Sequence, residues 1–220
     1  MRAEMRSPIA MSVRASAVLT ATVASLASLA ACSTQTTETS VWKSPSPAAA
    51  PMQNIAVFAG RVSSTDRHTL EDGFVAALAP YGVRATPSYA IFPESQVPPD
   101  PTSVQATLRT DGYDGALVST MQGVTERIIL DRGADWAGGF YGAYWGPGAP
   151  VYAETDQFVK FETTVWNVSA GKMVWSALTQ TENPRSGKDF VSSLTRTVVP
   201  SIAKAGLIPS TPVAPISLLP

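Results

Sequence analysis

The chain has 220 residues, 16 basic and 17 acidic side chains, a formal net charge of −1, one histidine and one cysteine. That balance argues against nucleic acid as a partner, which calls for a clustered basic face, and the counts exclude metal sites built on several His and Cys ligands. One cysteine cannot form an internal disulfide, so stability must come from the core, and the length suits one domain.

Near the N-terminus, Met11-Ser-Val-Arg14 leads into Ala15–Ala31, a stretch without charge. A basic flank before an apolar run reads as a secretory signal. The run is short for a bilayer span and rich in Ala, Ser and Thr, so it makes a poor permanent anchor. Glu4 between Arg2 and Arg6 gives the first residues an odd character, with Met5 and Met11 as alternative starts. The run ends Leu29-Ala30-Ala31-Cys32, which resembles the bacterial lipobox. The resemblance implies that the Cys32 thiol receives diacylglycerol, that residues 1–31 are removed as a lipoprotein signal peptide, and that the new amine is acylated. Several acyl chains on one residue exceed the two-signal threshold for stable anchoring. Cys32 is then a membrane tether and not a nucleophile. By resemblance to lipoprotein sorting, Ser33 in place of Asp implies the outer membrane, with the folded part on the periplasmic side. Loss of residues 1–31 takes away Arg2, Arg6, Arg14 and Glu4 and leaves 13 basic and 16 acidic residues.

Residues 32–53 are rich in Thr, Ser, Pro and Ala without helix or strand periodicity, which predicts a disordered tether. Trp42-Lys43 interrupts it, and Trp42 is expected to pack on the domain edge. Asn54–Ala59 is a short apolar run that predicts a buried strand. Leu70, Phe74, Ala77, Leu78 and Tyr81 make one stripe at the helical period, with Gly82 placed to end it. Val83–Phe92 reads as a second strand weakened by Pro87. Asp100-Pro101 starts a helix with an N-cap acceptor and a proline at the first position; Val104 and Leu108 give it an apolar face and Gly112 ends it. Tyr113–Met121 leads into a third strand running on toward Leu130. Phe158–Val165 alternates, with Val159, Phe161, Thr163 and Val165 on one face and Lys160, Glu162 and Thr164 on a wet one. A turn at Val168–Lys172 returns the chain through Met173–Thr181, the clearest hairpin in the sequence. The last helix starts near Ser186 and carries Phe190, Leu194, Val198 and Ile202, with a kink or break expected at Pro200. Residues 209–220, with four prolines, predict a disordered tail.

The order is β-α-β-α-β-β-β-α. It predicts a single α/β (α+β) domain over residues 54–208, with a mixed five-stranded sheet and about three helices. The opening IAVFA, the segment GYDGALVS and above all the hairpin TTVWNVSAGKMVWSALTQT resemble a group of proteobacterial lipoproteins. Similar domains occur in the N-terminal part of the TolB translocation protein, in curli-secretion lipoproteins and in penicillin-binding-protein-activator lipoproteins. The resemblance implies binding or assembly roles in the cell envelope and supplies no catalytic motif.

No catalytic residue, cofactor or metal site is assigned. His68 has Asp66, Glu71 and Asp72 nearby, as does any solvated helix start. Asp131 and Asp135 lack the dense acidic spacing of a calcium loop. Glu154, Asp156 and Glu162 offer carboxylates, but no two in visibly unlike environments, which acid/base catalysis would need. No GxGxxG or P-loop pattern is present. The expectation is a protein that is not an enzyme; a carboxylate-based envelope hydrolase and a peptidoglycan-binding or self-assembling lipoprotein are the rival readings.

The oddest stretch is Asp135–Pro150, with Trp136, Phe140, Tyr141, Tyr144 and Trp145 set among glycines. Two readings stay open. The aromatics fold back on a sheet edge, or they form a contact surface, since Trp and Tyr combine apolar area with a polar handle. A protein partner in the envelope, a glycan and the membrane interface are all compatible with the second. The loop carries no basic residue after Arg132, which argues against an anionic lipid surface.

Overall fold

The computed structural model describes residues 34–45, 50–93, 100–131, 152–210 and 212. All belong to the second of two units into which the chain divides, Met1–Ser33 and Thr34–Pro220. Cys32 and the aromatic residues Trp136, Phe140, Tyr141, Tyr144 and Trp145 lie outside the described residues.

In chain order the elements are β1 (Gln35–Lys43), β2 (Asn54–Gly60), α1 (Ser64–Leu78) with a 3₁₀ turn at Ala79–Tyr81, β3 (Arg84–Pro87), the short α2 (Ser88–Ile91), α3 (Pro101–Thr110), β4 (Gly115–Asp131), β5 (Tyr152–Asn167), β6 (Lys172–Glu182) and α4 (Gly187–Lys204). The sheet has six strands in the order β1-β6-β5-β4-β2-β3. β2 pairs in parallel with β3 and β4, and the other neighbours are antiparallel. The class is therefore the mixed α/β domain expected, with one strand more.

Topology decides which face each helix covers. β2 connects to β3 on one side, and β3 crosses back over β2 to reach β4. Parallel crossovers are right-handed, so these two moves in opposite directions put α1 and α3 on opposite faces. α1 shares its face with α4. Leu70, Phe74 and Leu78 of α1 and Phe190, Leu194, Val198 and Ile202 of α4 meet Ile55, Val57, Leu117, Phe161, Val165 and Trp175 of the sheet in the main core. Each such side chain contributes about 1.5–3 kcal/mol by leaving water. Only a small second cluster, Leu108 with Ala56, Ala116 and Val168, holds α3 to the other face.

The local rules act as expected at several ends. Gly82 adopts φ 74° after the 3₁₀ turn. Asp100 caps α3, its Oδ1 accepting from the N–H groups of Thr102 and Ser103 at 2.9 and 3.0 Å. Those backbone bonds, the one from Ser103 foremost, hold its carboxyl below the usual range.

Four expectations are corrected. The segment assigned to a tether contains β1, a nine-residue strand paired with β6 from Gln35↔Glu182 to Lys43↔Trp175. Its one buried side chain carries a hydroxyl instead of a hydrocarbon. Thr36 is buried, and its Oγ1 lies 2.7 Å from that of Thr181 and donates to Ser193 Oγ at 2.9 Å. Met52, also assigned to the tether, is buried in the main core, and its N–H donates to the Leu207 carbonyl at 2.7 Å. The strand expected over Val83–Phe92 stops at Pro87, which cannot continue the ladder, and Ser88–Ile91 turns helical. α4 runs through Pro200 without a break. Pro200 and Arg196, whose carbonyl loses its partner, are both exposed to water, while Val198, Val199, Ile202 and Ala203 bury the opposite side.

Candidate functional site: an apolar groove on the open sheet face

Among the described residues, two helices cover one face of the sheet, and α3, with Ile91 and Phe92 at the end of α2, covers part of the other. Directly opposed residues on neighbouring strands point to the same face. On the open face they form a continuous row, Trp42 (β1), Ser176 (β6), Thr164 (β5), Val118 (β4) and Phe58 (β2). The adjacent row is Ser40, Leu178, Glu162 and Thr120. Trp42 and Leu178 are 44% and 42% exposed, so Trp42 stands out from the edge strand instead of packing on it.

Beside α3, Phe58 and Val118 of the first row form a wall of a groove of about 520 Å³, lined also by Val104, Leu108, Ala116 and Trp166, with Gln105 and Asn167 as polar edges. That size suits a small apolar ligand or a few side chains of a partner. α3 is fixed as its outer wall by long polar side chains. Arg109 donates from Nε to the Val168 carbonyl at 3.1 Å and from Nη2 to that of Ser169 at 2.6 Å; Gln105 Nε2 donates to the Val168 carbonyl at 3.1 Å. These bonds hold α3 to the β5–β6 turn and keep the groove from collapsing. Trp166 forms the lip, with its indole N–H donating to Thr164 Oγ1 at 2.9 Å. The indole is therefore satisfied within the protein and offers only its apolar face.

Sequence reasoning missed this site because its members are scattered over four elements. One signal was present. Trp166 continues the wet side of β5 after Lys160, Glu162 and Thr164, where a large aromatic has no structural duty.

A second cluster lies on the other face, at the junction of β2 and α1. Glu71, expected at a solvated helix start, is instead fully buried. Its Oε1 accepts from the Ala59 N–H at 3.0 Å, from Arg67 Nε at 3.1 Å and from Ser88 Oγ at 2.7 Å. It lies one residue after Leu70, beside the buried stripe of α1. A Ser next to a carboxylate invites comparison with a nucleophile and base. Glu71 is 0% and Ser88 2% exposed, so no substrate reaches either, and the cluster works as a polar rivet between α1, β2 and α2. Outside it, Tyr89 Oη donates to Asp72 at 2.5 Å, and that bond, with burial and the negative charges of Asp72 and Glu71, pushes the phenol above its usual range. His68 is exposed and stacks on Tyr89 with ring centroids 4.2 Å apart.

The expected carboxylates do not converge. Asp156 accepts from Asn183 Nδ2 at 2.8 Å, and Glu162 accepts from Gln122 Nε2 at 3.1 Å. Six residues separate them along β5, about 20 Å at strand rise, well beyond the spacing of a glycosidase pair. The side chains of Asp131 and Glu154, and all of Asp135, lie outside the described residues. Among the described residues no group of three or more His, Cys, Asp or Glu side chains could hold a metal ion.

No protein-family model matches the chain, and no curated protein matches it. Solved structures to which the chain shows similarity include the PelC dodecamer from Paraburkholderia phytofirmans (17% identity, 76% of this chain and 96% of that one, TM-score 0.42). Another is lipoprotein GNA1162 from Neisseria meningitidis (13% identity, 69% and 99%, TM-score 0.41). A third is a minor lipoprotein from Acinetobacter baumannii (12% identity, 71% and 96%, TM-score 0.31).

Proposed function

We propose that this protein is a lipid-anchored periplasmic module of the outer membrane that binds another envelope component and catalyses no reaction. Cys32 carries the anchor, as the lipobox resemblance implies, and the binding role agrees with the resemblance to TolB-type, curli-secretion and activator lipoproteins. The observation that carries the binding role is the open sheet face, where an apolar groove with Trp166 at its lip is held open by α3. Its lining fits an uncharged, apolar segment of a protein partner. Trp136, Phe140, Tyr141, Tyr144 and Trp145 are a further contact surface in this reading.

In-cell photo-crosslinking from position 166 tests it, with Val118→Glu as the control that places a charge in the groove. A crosslinked envelope protein that disappears in the Val118→Glu background, with the melting temperature unchanged, supports the reading. No crosslink from position 166, or one indifferent to the charge, overturns the groove as a binding site.

A further inference from the structure

We infer that the outer edge of β1 pairs with the same edge of a second copy of this chain, antiparallel and centred on Trp42, so that two sheets join into one. The contact is separate from the groove, whose lining does not include Trp42.

β1 is the last strand of the sheet, and among the described residues it has a neighbour on one side only, β6. The register fixes which of its backbone groups look outward. The Ser44 N–H donates to the Val174 carbonyl at 2.9 Å. In an antiparallel ladder, hydrogen-bonded and non-hydrogen-bonded pairs alternate. Trp42 and Ser40, opposite Ser176 and Leu178, therefore also point their N–H and C=O groups at β6. Val41 and Lys43 point theirs the other way, where no described strand lies. The regular part of this edge is short. A bulge interrupts the ladder between Glu38 and Ser40, and Pro45 has no N–H to offer. Between them lie residues 40–44, with Trp42 in the middle.

An edge with unpaired backbone groups pairs with another chain unless something prevents it. A lysine is a common guard, but the Lys43 ammonium is turned back to the Ala205 carbonyl at the end of α4. No charged residue stands between Glu38 and Lys43. Val41 and Trp42, on opposite faces of the strand, are 49% and 44% exposed. The stretch is also complementary to itself. A twofold axis through Trp42 sets Val41 opposite Lys43 of the second copy, and Lys43 opposite its Val41. Both are hydrogen-bonded pairs, so every outward N–H of residues 41 and 43 meets an outward carbonyl. Trp42 meets its own counterpart in a non-hydrogen-bonded pair, with Cα atoms about 4.5 Å apart, where aromatic side chains pack across strands. A shift of two residues in either direction sets one pair against the bulge or against Pro45. A shift of one aims the outward groups of one copy at residues of the other that are already turned to β6. Only the pairing centred on Trp42 satisfies the whole edge, which is why the occupant is a second β1 and not an arbitrary strand.

The test uses the full chain with Cys32→Ser, which has no thiol of its own. Sedimentation velocity at about 100 µM, a concentration that populates a small interface, should give the mass of a dimer. Adding Trp42→Cys should produce a disulfide-linked dimer under mild oxidation, because the expected Cα separation is within disulfide reach. Glu38→Cys, beyond the bulge, should crosslink several-fold more slowly. Val41→Pro removes an outward N–H at an edge position where proline is tolerated, and should give a monomer that still melts cooperatively. If Val41→Pro does not fold, the comparison of crosslinking at 42 and 38 decides alone. A monomer at this concentration overturns the pairing. So does a dimer that Val41→Pro leaves intact, or one that crosslinks no faster at 42 than at 38, since its contact then lies elsewhere.

Discussion

The hydroxyl of Thr34 donates to the carboxylate of Asp189, joining the residue before β1 to the first turn of α4. The same strip of contacts continues with Ser193 Oγ donating to the Thr34 carbonyl at 2.9 Å and Thr197 Oγ1 to the Thr36 carbonyl at 3.2 Å. A seam of hydroxyls, instead of a stripe of leucines, fastens the N-terminal strand to the last helix. Buried hydroxyls stabilise only when each finds a partner, and the separation of more than 150 residues between Thr34 and Asp189 puts that condition beyond any local pattern.

That seam makes the N-terminal strand part of the folding unit. A chain of residues 34–210 is expected to melt in one cooperative transition. A chain of residues 54–210 should melt lower and aggregate. It leaves Thr181 and Ser193 without their partners, at about 1–3 kcal/mol for each stranded group, and it opens β6 as a bare edge. Thermal melting with light scattering checks both. Equal melting temperatures would make β1 a passive decoration of the sheet.

Asp189 gives the seam a pH dependence. Its carboxyl is held below the ordinary range chiefly by the bond from Thr34, opposed by burial and helped by the Arg185 N–H. A depressed folded-state value means that this stabilisation is complete above the unfolded carboxylate value and is lost as pH falls through the folded one. Amide exchange in β1 should therefore quicken as the solution is acidified below about pH 4. Thr34→Val should raise the Asp189 value toward normal in a carboxyl-carbon NMR titration. An unmoved titration would show that Thr34 does not hold the charge.

The rivet around Glu71 should fail locally before it fails globally. Glu71→Leu leaves the Ala59 N–H, Arg67 and Ser88 without their acceptor. The expected cost is about 3 kcal/mol, typical of removing one partner from a buried charged pair. Glu71→Gln, which keeps one acceptor oxygen, should cost less. Urea midpoints rank the two, and exchange at the Ala59 amide reports the local loss. Glu71→Leu as stable as the parent would mean that the cluster is dispensable.

The α1–α4 contact turns on Gly73. A Cβ built there would stand 2.1 Å from Val191 Cγ1, on a buried and stiff side chain. Gly73→Ala improves helix propensity by about 1 kcal/mol, yet overpacking of this kind costs about 1–3 kcal/mol. We expect a net loss of stability, and recovery when Val191→Ala is added. A double-mutant cycle read by chemical denaturation measures the coupling, and strict additivity would place the helices farther apart than described.

Much of this architecture was legible from residues 54 to 208. The stripe of α1, the Asp100 cap, the β5–β6 hairpin and the buried run of β2 each announce themselves within a window of ten residues or so, because helix and strand periods, caps and turns are local physics. The wet face read from Lys160, Glu162 and Thr164 is the very face that α3 leaves open. Three things needed the tertiary structure. β1 reads as a linker because its buried side chain, Thr36, like Thr34 just before it, is a threonine, and only Thr181, Ser193 and Asp189, far along the chain, make that burial favourable. Glu71 reads as solvated because its compensation comes from Ala59 and Ser88 on neighbouring elements. The groove exists because the β2–β3 and β3–β4 crossovers run in opposite directions and send α1 and α3 to opposite faces, which brings Phe58, Val104, Val118 and Trp166 together. Sequence alone determined the segments whose apolar period is local, from β2 to α4; the pairing order of the strands decided that β1 is a strand, which polar groups are satisfied and which apolar surface is left uncovered.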